Sequence, residues 1–412
     1  MQNHPAHQEP RRVLGSFFAP KSQNTPTWEQ RKLDEAFDFT VPNNTLSRAE
    51  LNQESGSVRN VHYGDVLIKY GSVLDAQNDE LPFITERSKD DFKGALLQNG
   101  DIIIADTAED ETTGKVCEIV NIQDKDVVAG LHTMVCRPKN KTAEGYFGYY
   151  MNSSSYHHQL LPLMQGIKVL SLSKTNVQKT TVKYPKDKAE QQKIADCLRR
   201  IDTLITLHQR KYEKLVNIKK SMLDKMFPQN GASMPEIRFK GFTDPWEQRK
   251  LGDLCVEFRS GEFISASDIT ETGEYPVFGG NGLRGFTDRF NHDGEYTLIG
   301  RQGALCGNVN FAVGKSYFTE HAIAVRADKK NQTRFLYYLF STMDLGQYSG
   351  QSAQPGLAVG NLVELKSTLP DKQEQEKISG VLTALDTLIT LHQRKLEKLQ
   401  NIKKACLEKM FV

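Results

Sequence analysis

The feature that most limits how this chain can fold is an internal duplication. Residues 202–227 (DTLITLHQRKYEKLVNIKKSMLDKMF) and residues 386–411 (DTLITLHQRKLEKLQNIKKACLEKMF) are identical at 21 of 26 aligned positions. The hexapeptide WEQRKL also occurs twice, at 28–33 and at 246–251. A repeat of this kind indicates two homologous modules, each beginning at a WEQRKL segment and ending in a nearly constant segment.

The two bodies between these markers have diverged. The WEQRKL copies are 218 positions apart and the long copies only 184, so the first body carries about 34 extra residues. Fainter correspondences remain inside the bodies, the last three at a constant offset of 189: Asn99–Ile104 with Asp293–Leu298, Gly114–Val116 with Gly307–Val309, His132 with His321, Arg137 with Arg326, and Tyr149 with Tyr338.

The constant segments predict long amphipathic helices, because their apolar positions alternate spacings of four and three. The predicted seam consists of Ile194, Leu198, Ile201, Ile205, His208 and Leu215 in the first copy, and of Ile378, Leu382, Leu385, Ile389, His392, Leu396 and Leu399 in the second. Leu204, Leu207 and Ile218 are expected to widen it. Pro185 and Pro370 stand where each helix would begin. About 40 residues at 1.5 Å each predict a length of about 60 Å.

Two such helices in one chain are expected to pair with each other as an antiparallel coiled coil. For His208 and His392 two interpretations stay open: a polar pair that fixes the register of the seam, or a position at its edge without a special role. The basic residues Arg210, Lys211, Lys219 and Lys220 are expected on a solvated or subunit-facing surface.

The bodies are predicted to be mixed and rich in strands. Val66–Ile68, Ile102–Ile104 and Tyr296–Ile299 predict strands, whereas Tyr146–Met151 and Phe335–Phe340 predict helices. The predicted fold class is therefore α+β, with two globular β-rich domains separated by the two paired helices in a pseudo-two-fold internal repeat. The predicted boundaries are 1–24 for a disordered leader, 25–185 for the first domain, 186–230 for the central helix, 231–245 for a linker, 246–370 for the second domain and 371–412 for the distal helix.

Composition narrows the function classes. No stretch approaches the roughly 18 apolar residues of a membrane span. Six cysteines without a CxxC pair disfavour disulfides and structural zinc, so the prediction is a cytoplasmic protein without a metal site. The net charge is only +2, from 53 basic and 51 acidic residues. If the chain binds DNA, its positive charge must be local, or partner subunits must share the phosphate contacts.

The sequence offers no complete catalytic motif. Gly280–Gly285 (GNGLRG) formally fits the GxGxxG dinucleotide pattern, but a turn-rich segment follows it where a helix is needed. Asp344, Glu364 and Lys366 loosely resemble a nuclease triad, yet the first body lacks a counterpart. There is no GxxxxGK[ST], GxSxG or HExxH motif. The expectation is a binding protein that is not itself an enzyme.

The alternation of variable body and constant helix resembles the specificity subunits of type I restriction-modification systems. The paired LITLHQRK helices and the WEQRKL segments carry the resemblance, together with Tyr275–Gly285, Gly300–Val309 and Gly350–Gly356. Residues 1–24 depart from the usual start of that family.

The resemblance implies a subunit that reads a bipartite target in double-stranded DNA and performs no chemistry itself. It implies two methyltransferase (M) subunits docked on the helices and ATP-dependent restriction/translocase (R) subunits. S-adenosylmethionine, ATP and magnesium are then expected in those partners, and no cofactor in this chain. The helix length would act as a ruler between the two DNA-reading domains.

Candidate DNA-contacting residues are polar side chains in glycine-rich loops, because arginine suits guanine while asparagine and glutamine suit adenine. They are Asn281, Arg284, Arg301, Gln302, Gln351 and Gln354 in the second body, and Lys69, Tyr70, Ser72, Gln165 and Lys168 in the first. For each of them a loop-stabilising or phosphate contact is the alternative. Two other functions also stay open, a coiled-coil adaptor whose modules bind protein and a lone enzyme. An electrophoretic shift of DNA separates these classes.

Overall fold

The computed structural model describes residues 28–229, 232–350 and 356–411. The chain divides into two compact units, unit 1 with residues 1–207 and 397–412, and unit 2 with residues 208–396. Each unit contains one of the predicted bodies together with a part of both long helices. The division therefore falls inside the helices, not at their ends. The predicted leader, residues 1–24, lies outside the described residues.

The helices and strands follow the duplication. The helices are α1 Leu33–Ala36, α2 Tyr63–Ile68, α3 Tyr146–Met151, α4 Ser154–His157, α5 Lys174–Gln178, α6 Lys188–Met226, α7 Thr333–Ser341, α8 Val359–Glu364 and α9 Lys372–Lys409. The strands of the first body are β1 Glu29–Lys32, β2 Phe37–Asp38, β3 Leu51–Asn52, β4 Val58–Val61, β5 Val73–Asp75, β6 Phe83–Ile84, β7 Ile102–Ala105, β8 Thr107–Ala108, β9 Val116–Val120, β10 Asp126–Ala129, β11 Thr133–Pro138, β12 Leu170–Ser171 and β13 Thr181–Tyr184. Those of the second body are β14 Glu247–Lys250, β15 Cys255–Ser260, β16 Tyr275–Gly279, β17 Gly282–Thr287, β18 Glu295–Gly300, β19 Val309–Val313, β20 Tyr317–Phe318, β21 Ala322–Ala327 and β22 Lys366–Leu369.

Each body contains its own central sheet, and the two central sheets have equivalent strand orders. In unit 1 the strand order is β2-β11-β7-β9-β5, and in unit 2 it is β15-β21-β18-β19. Each body also has a second sheet, of order β10-β4-β6-β3 in unit 1 and β17-β16-β20 in unit 2, and each of these sheets contains one parallel pair, β10 with β4 and β20 with β16. The predicted α+β class and the strands at Ile102–Ile104 and Tyr296–Ile299 are confirmed, as are the helices at Tyr146–Met151 and Phe335–Phe340.

The structural register corrects one part of the sequence alignment. Thr133 pairs with Ala105 in unit 1, and its counterpart Ala322 pairs with Gly300 in unit 2. Ala105 therefore corresponds to Gly300, which shifts the predicted match of Asn99–Ile104 by one residue. Most of β7 and β18 is buried without alternation. A strand buried on both faces gives no apolar-polar pattern from which a register can be read.

The predicted strand at Val66–Ile68 is wrong, since these residues form the end of helix α2. The side chain of His62 accepts a hydrogen bond from the Gly64 amide at 3.1 Å and so caps the helix. Asp65 lies in its first turn, buried and paired with Arg48. Capping and a carboxylate at the helix start outweigh the strand preference of the apolar residues.

The WEQRKL segments tie each body to the start of a long helix. Strand β1 pairs antiparallel with β13, and β14 pairs in the same way with β22, directly before α6 and α9. Trp28 donates its indole N–H to Glu190 at 3.1 Å. Trp246 is buried against Phe227 and Phe335. This explains why both copies of the hexapeptide have been kept.

The two long helices have the predicted extent, 39 residues for α6 and 38 for α9. All of the predicted seam residues are buried or half-buried. Those near a helix start, such as Leu198 and Leu382, belong to the core of a body and not to a free-standing coiled coil. In unit 1 Leu198 shares that core with Cys406 and Phe411, which lie near the end of the second repeat. Within the described ranges no helix is long and apolar enough to cross a membrane.

The helices run antiparallel in both units. In unit 1 Asp202 of α6 forms an ion pair with Lys403 of α9. In unit 2 His208 contacts His392, and Lys219 forms an ion pair with Asp386, so rising numbers in α6 meet falling numbers in α9. The predicted antiparallel pairing is confirmed within each unit. Lys219, expected on a solvated or subunit-facing surface, is half-buried, and its side chain is held by Asp386 within the helix pair.

His208 and His392 occupy equivalent positions of the repeat and contact each other. Their Nδ1 atoms are 2.7 Å apart, which requires one ring to donate to the other. Burial lowers the pKa of His208, and the nearby His392, Lys395 and Lys211 lower it further. Of the two interpretations, this geometry supports a polar pair that fixes the register, because a shift of either helix would separate the rings.

Leu204 and Leu207 do not widen the seam. Their exposed fractions are 43% and 46%, and those of the equivalent Leu388 and Leu391 are 42% and 44%. Two matching leucine pairs thus stay on the surface of the helices, one in unit 1 and one in unit 2.

We predict that two leucines of α6 differ sharply in their contribution to stability. Leu198 is fully buried, so Leu198→Ala is expected to lower the free energy of unfolding by about 2–5 kcal/mol. Leu204→Ala removes the same atoms from a half-exposed position and is expected to change it by less than about 0.5 kcal/mol. Urea denaturation followed by circular dichroism measures both. Equal losses of unfolding free energy in the two variants would contradict the placement of Leu198 inside the seam and of Leu204 outside it.

A second prediction concerns a triad that both units repeat. Tyr149 donates to Asp202 and Tyr338 to Asp386, each at 2.8 Å, and Lys403 and Lys219 complete the triads through ion pairs of 2.6 Å. Asp386→Asn keeps an acceptor for Tyr338 but removes the charge. We expect a loss of about 1 kcal/mol that shrinks in high salt.

The matched control is Asp224→Asn, at an exposed position of α6, the helix that carries Lys219. It is expected to leave the unfolding free energy unchanged at every salt concentration. A loss at Asp386 that does not depend on salt would mean that its ion pair with Lys219 contributes nothing.

Candidate functional site

The glycine-rich segment at 279–285 forms a β-hairpin in unit 2. Strands β16 and β17 pair antiparallel across it, from Tyr275 with Thr287 to Gly279 with Gly282. No helix follows the glycines, so the dinucleotide pattern is a turn, as the sequence indicated. Asn281 lies exposed at the tip and Arg284 lies exposed on β17.

The tip of this hairpin lies against the end of β18. A Cβ atom on Gly280 would stand 2.9 Å from the carbonyl oxygen of His321, and one on Gly300 would stand 2.5 Å from the carbonyl oxygen of Gly280. Only glycine permits so close an approach of two backbones. The consequence is that Asn281, the neighbour of Gly280, comes next to the residues that follow β18.

Arg301 and Gln302 leave β18 at this point. The Arg301 amide donates to the His321 carbonyl at 2.9 Å, and the Leu357 amide donates to the Arg301 carbonyl at 2.8 Å. The Gln302 side chain is exposed, and its Oε1 lies 3.0 Å from Nδ1 of His321. The structure thus brings together Asn281, Arg301 and Gln302 at one end of the sheet, and Arg284 lies in the same hairpin with its side chain against Gly279.

Two further predicted residues, Gln351 and Gln354, lie outside the described residues. Their neighbours Gly350 and Gly356 are joined by a backbone hydrogen bond of 3.2 Å, and Gly356 forms a bridge with Gln302. The described ends of that loop therefore start beside the same cluster.

Unit 1 repeats this arrangement with other side chains. Asp106 and Thr107 follow β7, and the Asp106 amide donates to the His132 carbonyl at 3.0 Å. The Leu172 amide donates to the Asp106 carbonyl at 2.8 Å, as Leu357 does to Arg301. Oγ1 of Thr107 lies 3.4 Å from Nδ1 of His132.

A hairpin in unit 1 carries two of the predicted residues. Gln165 pairs with Ser171, and Ser171 pairs with Thr107 on β8. Lys168 is exposed between them, and Ile167 beside it is fully exposed. The pair Gln165 and Ser171 therefore occupies the position in unit 1 that Gly350 and Gly356 have in unit 2, and Lys168 lies between its two members.

Two of the predicted DNA contacts in the first body are wrong. Tyr70 is only 4% exposed, its hydroxyl donates to the Glu80 carbonyl, and burial raises its pKa. Ser72 is 6% exposed, and its hydroxyl accepts from Asn152. Both side chains are used inside the protein. Lys69 is exposed, but its amine is held by the Glu80 carbonyl at 2.9 Å.

Sequence reasoning missed Thr107, His132 and His321 as candidates. The signal was present, since His132 and His321 match at the constant offset of 189. Glu364, proposed from the loose nuclease pattern and set aside, forms an ion pair with Lys250.

Comparisons with known proteins agree with this plan. The family model for the type I restriction modification DNA specificity domain matches residues 26–217 and 243–401. The type I restriction enzyme EcoprrI specificity subunit of Escherichia coli is 44% identical over 156 residues, which span 37% of this chain and 39% of that relative. The putative type I restriction enzyme MjaX specificity subunit of Methanocaldococcus jannaschii is 23% identical over 92% of this chain and 91% of its own length.

The fold is also found in a solved structure. The crystal structure of the type I restriction-modification system S subunit from M. genitalium superposes with a TM-score of 0.69 at 16% identity, covering 95% of this chain and 98% of that one. Because the family model covers most of both repeats, this chain belongs to the type I restriction-modification DNA specificity family.

Proposed function

We propose that this chain reads a bipartite DNA target, one half with each unit, and directs partner subunits that methylate or cleave the DNA. The observation that carries the proposal is the repeated strand-end position, where Arg301 in unit 2 and Asp106 in unit 1 make the same backbone hydrogen bonds and are followed by Gln302 and Thr107. The scaffold is constant and the side chains presented on it differ. That is the arrangement expected of two modules with separate specificities.

The side chains of the unit 2 cluster suit direct base reading. Arginine binds O6 and N7 of guanine, and asparagine or glutamine binds N6 and N7 of adenine in the major groove. Arg284 and Arg301 also supply two positive charges to the hairpin and the neighbouring strand end of unit 2, on a chain whose net charge is only +2. Local charge of this kind favours contact with phosphates without making the whole chain basic.

The exposed leucine pairs support two copies of one partner. Leu204 and Leu207 in unit 1 and Leu388 and Leu391 in unit 2 stand three residues apart on a helix and have nearly equal exposure. Equivalent apolar surfaces at equivalent repeat positions suit two identical methyltransferase subunits. S-adenosylmethionine would be bound by these subunits, and ATP and magnesium by restriction subunits that join them. Because the proposed substrate is DNA, we propose that the complex acts in the cytoplasm.

A module exchange tests the reading of separate half-sites. Replacing residues 246–369 by the corresponding module of a relative should change one half of the methylated target and leave the other unchanged. The physical reason is that the residues of unit 1 that carry its cluster lie outside the exchanged segment. Coexpression with the methyltransferase subunit, followed by sequencing of methylated sites, measures the outcome.

The wild-type complex is the control and should methylate one bipartite sequence. A change in both half-sites after the exchange would contradict independent reading. Absence of any DNA shift by the wild-type chain with its methyltransferase partner would instead favour a protein-binding adaptor.

A further prediction concerns the number of methyltransferase subunits. Leu204→Glu with Leu207→Glu should reduce the complex from two copies to one, and Leu388→Glu with Leu391→Glu should do the same. Combining all four should abolish assembly, because each introduced carboxylate would have to be buried in an apolar contact. Native mass spectrometry of the copurified complex counts the subunits.

Gln393→Glu provides the control for added charge. It is exposed and stands five residues from Leu388, about 140° around the helix at 3.6 residues per turn. Its complex should retain two methyltransferase subunits. Full assembly of the fourfold leucine variant would show that these leucines are not the docking surface.

A further inference from the structure

His321 lies between two partners in unit 2. Its Nε2 atom is 3.2 Å from Oε1 of Glu320, and its Nδ1 atom is 3.0 Å from Oε1 of Gln302. All three side chains stand at the strand end that gathers Arg301 and Asn281. His321 is half-buried, whereas Gln302 is exposed.

The carboxylate fixes the proton on one ring nitrogen. An ionised carboxylate can only accept hydrogen bonds, so Nε2 of His321 must carry a hydrogen when it faces Glu320. The other carboxylate oxygen, Oε2, is buried and has no hydrogen-bond partner among the described residues. His321 is therefore a donor that Glu320 requires, and the imidazole is held in one orientation.

The second ring nitrogen then orients the Gln302 amide. Since Oε1 of Gln302 faces Nδ1, that nitrogen donates to the amide oxygen in this arrangement. The amide cannot turn over without placing its N–H₂ group against an N–H donor. Its order of acceptor and donor is thereby fixed, with Oε1 on the histidine side and the N–H₂ group on the other.

We propose that His321 is a positioning residue for specificity, which holds the Gln302 amide in the orientation that reads one base pair of the target. The inference rests on the proposed function. A glutamine recognises adenine by accepting from N6 and donating to N7, so reversing the amide reverses the pattern that it can match. The base pair that Gln302 selects is then set by a residue that need not touch DNA.

Unit 1 supports the inference with a different set of groups. His132 has the same place in the repeat, and its Nδ1 faces Thr107, the counterpart of Gln302, at 3.4 Å. The acidic neighbour of His132 is Asp106, whose Oδ1 lies 3.6 Å from Nδ1 of His132. Asp106 corresponds to Arg301 in the repeat. A histidine thus contacts the side chain at this position in both units, while that side chain itself has changed from glutamine to threonine. In unit 1 Thr107 is half-buried and His132 is exposed.

The test compares variants of the complex with the methyltransferase subunit on a library of targets that differ at each position of both half-sites. His321→Ala should reduce discrimination at a single base pair of one half-site by roughly 10-fold or more. Gln302→Ala should reduce discrimination at the same base pair. The double variant should show no further loss, because the two residues act as one unit.

His321→Lys tests positioning as distinct from packing. A lysine can donate to Oε1 of Gln302 but cannot accept, so it should restore the original base preference. His132→Ala is the matched control and should alter one base pair in the other half-site only. His292→Ala removes a buried histidine bound to Glu257 and should lower stability without changing base preference.

Three outcomes would overturn the inference. They are unchanged discrimination in His321→Ala, uniform weakening on all targets, and effects of His321→Ala and Gln302→Ala at different base pairs. Failure of the proposed function is distinguishable from these, because the wild-type complex would then show no sequence preference on the same library.

Discussion

The structure depends on the burial of one apolar stripe on each long helix. In unit 1 the core of the body includes Ile194 and Leu198 from α6, and also Cys406 and Phe411 from the end of the chain. In unit 2 it includes Ile378 and Leu382 from α9 together with Met226 and Phe227. Each body therefore needs residues from both copies of the repeat to complete its core. This explains why the helical segments have stayed nearly identical while the bodies have diverged, since a change in one copy alters the packing of both units.

Polar contacts then fix the register of the helix pair. The His208–His392 contact joins two equivalent positions, and the ion pairs of Asp202 with Lys403 and of Lys219 with Asp386 repeat one contact in each unit. Apolar side chains tolerate sliding better than hydrogen bonds do, because dispersion contacts have little directional preference. Tyr149 and Tyr338 extend the same contacts from the helices into the bodies. The orientation of each body on its helices is thus specified by hydrogen bonds as well as by burial.

At the strand ends the backbone is the same in both units while the side chains differ, and the hydrogen bonds explain why. The backbone hydrogen bonds of Asp106 and Arg301 are the same in the two units, and they do not depend on the side chain at either position. A side chain placed there can change without disturbing the sheet. Buried residues such as Tyr70 and Ser72 lack that freedom, because their hydroxyl groups are needed for hydrogen bonds within unit 1. Unit 1 therefore contains positions whose side chains are free to change and positions whose side chains are not.

The sequence by itself determined the duplication, the two long helices with their seam, and the fold class. These follow from periodicity and identity, which are properties of local sequence. It also suggested Asn281, Arg284, Arg301 and Gln302 as candidate DNA contacts, because arginine, asparagine and glutamine can read base edges, and that role stays a prediction. Only the tertiary structure decided the register of β7 and β18, the helix at Val66–Ile68, the exposure of Leu204 and Leu207, and the burial of Tyr70. Each of these depends on which residues from distant parts of the chain come into contact. His132 and His321 illustrate both parts. Their equivalence was visible in the sequence, but their hydrogen-bond partners depend on the tertiary structure, which brings the strand ends together.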